Sequence, residues 1–142
     1  MDALEKIRGK TLEKTLYHEW VSDDLLTVDW IELVFSDDSK ICFAFGGMEE
    51  TMEIRSTFDS EKEKIELYTL FEGKVTIRTQ DHSTARKWKN FIGQKITGYE
   101  IEETDEGRIR SVAITFGAKK LQIAGAEDSL YMQVLSGENR PE

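Results

Sequence analysis

Apolar and polar residues alternate with a period of two along most of this chain, the pattern of strands that bury one face. Ile31, Leu33 and Phe35 alternate with Glu32 and Val34, and Ile41, Phe43 and Phe45 alternate with Cys42 and Ala44. The polar run Ser36-Asp37-Asp38-Ser39 between them has the length and chemistry of a hairpin turn. Val112, Ile114 and Phe116, then Leu121 and Ile123, follow the same pattern around Gly117-Ala118, with Asp105-Glu106-Gly107 turning the chain before them. The residues sharing this parity, from Ile31 to Ile123, are the predicted core. Thr51 to Ser56 and Leu130 to Leu135 add further strands. In the middle, Lys64–Phe71 and Lys74–Thr79 flank Glu72-Gly73, and an acidic residue before glycine reads as a two-residue hairpin loop.

Only one helix is well signalled. Ser83 serves as its N-cap, Ala85, Trp88, Phe91 and Ile92 line one face, and Gly93 ends it. A second stretch matches it at an offset of 84: Leu4, Ile7, Gly9 and Leu12 fall on Trp88, Phe91, Gly93 and Ile96. Ile31–Phe35 then matches Val112–Phe116 at 81, and Ile41–Phe45 matches Leu121–Gly125 at 80. These matches predict an α+β, β-rich fold within one domain, residues 1–142. It would hold two copies of a helix plus three-stranded antiparallel meander, about 2–50 and 84–135, with an inserted β-hairpin at about 58–81.

Composition narrows the classes. A chain of 142 residues with 39% hydrophobic and 33% charged content can bury roughly two thirds of its unfolded surface. The single cysteine excludes an intrachain disulfide. No apolar run approaches the ~18 residues of a membrane helix, and Met1–Lys10 lacks the apolar stretch of a signal peptide. A cytoplasmic location is the expectation. The net charge is −9, and it is uneven. Residues 1–81 hold 10 basic and 19 acidic side chains; residues 82–142 hold 9 of each. That balance disfavours nucleic acid and favours a basic partner.

Candidate chemistry is sparse. Phe45-Gly46-Gly47-Met48 lacks the Lys and Ser/Thr of a phosphate loop. Two histidines and one cysteine give no metal-ligand spacing, so neither a metal nor another cofactor is expected. Cys42, inside an alternating strand, reads as a small buried hydrophobe, and His18 shares parity with Leu16 and Trp20 on a packed face. His82 reads as a loop residue. Arg86, Lys87, Lys89 and Lys95 surround Trp88 as a solvated basic rim. No catalytic set emerges. The carboxylates at turns are Asp23, Asp24, Asp37, Asp38, Glu49 and Glu50, where side chains are free to reach a partner, and these six form the predicted partner-binding surface.

The unit running from a helix through Gly-x-x-Leu/Ile and a strand into the apolar strand, polar turn and apolar strand of Ile31–Phe45 resembles small uncharacterised bacterial domains. It is also similar to the acidic immunity proteins found beside bacterial polymorphic toxins. The resemblance covers residues 2–50 and 84–135 and carries over no catalytic residues. It implies a non-enzymatic acidic protein that neutralises a basic partner such as a toxin. Two alternatives remain: a ligand-binding domain or small enzyme with a cleft between the two copies, and a structural homo-oligomeric module using strand edges.

Overall fold

The period-two segments become nine strands of one curled antiparallel sheet, an open half-barrel. The computed structural model describes residues 2–22, 25–46, 50–56, 60–126 and 129–136. The elements are α1 (Asp2–Ile7), β1 (Leu12–Ser22), β2 (Leu25–Phe35), β3 (Lys40–Phe45), β4 (Met52–Arg55), α2 (Ser60–Leu70), β5 (Thr76–Asp81), β6 (Gly98–Glu103), β7 (Ile109–Phe116), β8 (Lys119–Gly125) and β9 (Leu130–Ser136). The strand order is β5-β1-β2-β3-β4-β7-β8-β9, with β6 also on β7. Met52 opposite Ile109 joins the β1–β4 part to the β6–β9 part. The curl lets one face of both parts close on a single core. Ile31, Leu33, Phe35, Ile41, Phe43, Val112, Ile114, Phe116, Leu121 and Ile123 are all buried there.

The fold is therefore mostly β, and the expected α+β arrangement of two helix-plus-meander copies does not describe it. Three differences stand out, and the first two have a local physical cause. Residues 83–93 form consecutive turns rather than an α-helix. The backbone bonds Trp88 N–H to Ala85 C=O and Phe91 N–H to Trp88 C=O span three residues, a pitch that suits apolar residues placed three apart. The expected inserted hairpin is a helix and a strand. Glu61-Lys-Glu-Lys-Ile-Glu66 is built from strong helix formers, which outweighs the weak alternation after it. Glu72 and Gly73 (φ 55° and 81°) close that helix instead of turning a hairpin, and Lys74 N–H bonds back to Phe71 C=O. Finally, β1 and β2 run 11 residues each against 6 and 8 for β6 and β7.

What the offset of 84 does mark is local. Gly9 and Gly93 both adopt left-handed φ, 87° and 84°, a conformation that costs any residue with a Cβ about 1–2 kcal/mol. Gly9 N–H donates to Ile96 C=O and Gly93 N–H to Leu12 C=O; Leu12 N–H donates to Gln94 C=O and Ile96 N–H to Lys10 C=O. The two segments cross reciprocally, with Thr11 opposite Lys95. Leu4 and Ile7 on one side, and Trp88 and Phe91 on the other, enter the same core. The β1–β2 register shifts between His18 and Glu19 by passing over Asp29 of β2, and the β6–β7 register shifts 84 residues later, between Glu102 and Glu103, by passing over Arg110 of β7.

Phe43 lies in the middle of this core, fully buried. Phe43→Ala should cost about 3–5 kcal/mol in denaturant unfolding, and a loss below ~1 kcal/mol would show that the buried face is misassigned.

Candidate interaction surface

The turn between β2 and β3 holds Asp37 and Asp38, both exposed. Asp38 is left-handed (φ 72°), as Asp tolerates. Asp37 accepts hydrogen bonds from the Ser39 hydroxyl and Ser39 N–H and pairs with Lys10 Nζ at 3.1 Å. The Ser39 hydroxyl, then the Ser39 amide and then Lys10 hold its carboxyl down at about 2. This carboxylate builds the turn before it can serve a partner. Glu50 is exposed at the other end of β3, where Gly46 N–H bonds Thr51 C=O. Five strand rises separate Lys40 from Phe45, roughly 17 Å. The Asp37-Asp38 turn and Glu50 therefore stand at opposite ends of β3. Asp23, Asp24 and Glu49 lie outside the described residues.

A different acidic grouping forms instead. The turn of Glu50 and the turn between β6 and β7 flank one cleft of about 370 Å³, lined by Gly46, Thr51, Glu53, Gly107 and Arg108 among others. Glu53 pairs with Arg55 at 3.1 Å. Asp105 and Glu106 are exposed on the β6–β7 turn, and Glu100, Glu102 and Glu103 are exposed along β6. Five of the seven residues from Glu100 to Glu106 are acidic. A charge sum hides them, because the nine basic side chains of residues 82–142 balance its nine acidic ones. Counting charge in short windows would have found them.

The chain's less common polar side chains go elsewhere, onto the outer face of the β5-β1-β2-β3-β4 part. Thr79, His18, Glu32, Cys42 and Arg55 form a row across five strands, set by the pairs His18–Thr79, Glu32–Cys42 and Cys42–Arg55 and by the His18–Glu32 bond. His18 Nε2 is 2.9 Å from Glu32 Oε1, with both residues buried, and His18 Nδ1 is 2.9 Å from Thr79 Oγ1. The carboxylate can only accept, which assigns the proton to Nε2. Trp20, Trp30, Phe71, Val75 and Ile77 pack beside this row as a second apolar cluster. His82 stacks on Tyr17 with ring centroids 3.9 Å apart, and Tyr17 Oη accepts from Trp88 Nε1. Lys87, from the expected basic rim, donates to the Met132 carbonyl. Among the described residues no group of three or more His, Cys, Asp or Glu could hold a metal ion, and no helix is long and apolar enough to cross a membrane.

Burial, with a smaller contribution from Glu32, pushes the Cys42 thiol up to about 12. A thiol held neutral is a poor nucleophile.

No protein-family model, curated protein or solved structure matches this chain.

At pH 8 the native Cys42 thiol should react with a disulfide reagent roughly a thousandfold more slowly than in the unfolded chain, from the difference in thiolate fraction. The raised value also fixes a sign. The stabilisation from keeping this thiol neutral is complete below the unfolded value near 9.0 and is lost as pH rises toward 12. Native labelling as fast as in the unfolded chain would contradict the buried assignment.

Proposed function

We propose that this chain is a non-enzymatic acidic binding protein of the cytoplasm that masks a basic surface of another protein, as an immunity protein masks its toxin. The observation that carries this reading is the placement of exposed carboxylates on a hydrogen-bonded β framework. Glu53 lines the cleft, Glu50 directly precedes its lining residue Thr51, Asp105 and Glu106 precede its lining residue Gly107, and Glu100, Glu102 and Glu103 lie along the strand that leads there. A surface held by backbone pairing loses little conformational entropy on binding, so its charge is available for recognition. The net −9 favours encounter with a cation-rich partner and disfavours polyanions such as nucleic acid and anionic membranes.

The test is to co-produce the chain with the product of the neighbouring gene and measure association at two salt concentrations. The Debye length falls from ~10 Å at 0.1 M to ~3 Å at 1 M. Association should slow by about tenfold or more across that range while dissociation changes less, and reversing Asp105 and Glu106 to Lys should slow it further. A salt-independent on-rate would contradict the reading.

A further inference from the structure

β1 and β6 leave the reciprocal crossing at corresponding positions, 84 residues apart, yet their outer edges differ. β1 is paired on both sides, with β2 and with β5. β6 is paired with β7 alone among the described residues. The filled edge shows how a strand sits there. Thr15 C=O accepts from His82 N–H, and Thr15 N–H donates to Ser83 Oγ. Further along, Glu19 is buried against Arg78 of β5, with Nε 2.9 Å from Oε1. At the offset of 84, Thr15 corresponds to Tyr99 and Glu19 to Glu103. Alternate residues of an antiparallel strand turn both backbone groups to the same side, so Tyr99, Ile101 and Glu103 present theirs to the open side of β6. Glu103 is exposed where Glu19 is covered.

We infer that the open edge of β6 receives an extended strand from a basic partner, laid antiparallel to it as β5 lies on β1, with a Lys or Arg of that strand against Glu103. This rests on the reading above that the partner is basic, and it names the surface and mode of docking. Backbone pairing supplies affinity in such strand addition, and the side chains opposite supply selectivity. Glu100, Glu102, Glu103, Asp105 and Glu106 select the occupant. They oppose a second β6, which would set like charges face to face, and they oppose an acidic strand. The Arg78–Glu19 pair inside the same chain shows the complementary arrangement already made once.

The experiment uses the full chain and a short peptide alternating lysine and valine, at low salt, with amide hydrogen exchange followed residue by residue. The amides of Tyr99, Ile101 and Glu103 should slow by about tenfold or more on saturation. Glu103→Lys should weaken peptide binding by about tenfold while leaving exchange in β2 and β3 unchanged, which shows the fold intact. Peptide binding with these β6 amides unprotected overturns strand addition and leaves the basic-partner reading standing. No binding at all overturns both. Protection that rises with protein concentration, without peptide, makes a second copy the occupant and overturns the basic strand.

Discussion

Four backbone hydrogen bonds between residues 9–12 and 93–96 fix the frame on which the other elements are hung. They join segments more than 80 residues apart in sequence, so they carry a large loop-closure cost that the core must offset. Their geometry depends on left-handed backbone at Gly9 and Gly93. With the crossing set, β1 and β6 leave it in corresponding ways, and each leads into a strand whose apolar face closes on the same interior. A flat sheet could not bring Ile31, Phe43, Ile114 and Leu121 into one cluster. The curl follows from needing one core for both parts, and Leu4 and Trp88 enter that core from the residues beside the crossing.

Much of this was legible in the sequence because strand alternation is a local property. Ile31–Phe45 and Val112–Ile123 announced their buried face, and the polar turn at Ser36–Ser39 announced the hairpin. The failures came where two local preferences competed. Residues 64–71 hold an alternating pattern that continues a run of helix formers from Glu61, and the helix propensity of that run prevailed. Residues 85–91 carry apolar side chains three apart, a spacing shared by an α-helix and by successive tight turns. The pairing of β5 with β1 was not legible at all, since nothing in Thr76–Asp81 names the strand it will join.

The chemistry divides in the same way. His18, Glu32 and Cys42 have the composition of a reactive site, but each is committed to packing or pairing across a covered face. At the β6 edge and the cleft Glu50, Glu103, Asp105 and Glu106 are exposed, while Glu53 pairs with Arg55, Glu100 with Lys120, and Glu102 accepts from the Ser111 hydroxyl. The six residues chosen from the sequence were chosen as turn residues; of the three described, Asp37 and Asp38 lie at one end of β3 and Glu50 at the other. Asp37 in particular is spent on Ser39 and Lys10. The acidic stretch from Glu100 to Glu106 was concealed by the cations around it, and only pairing information distinguishes an edge strand from an interior one.

The central claim is that β1 and β6 have corresponding outer edges, one filled by β5 and the other left open among the described residues. Native-state hydrogen exchange on the free protein at low concentration tests it most directly, because an edge amide exposed to water exchanges without any unfolding. The account predicts strong protection at Thr15, Tyr17 and Glu19 and fast exchange at Tyr99, Ile101 and Glu103. Equal protection at both sets would mean that the β6 edge is already covered, and would contradict the account.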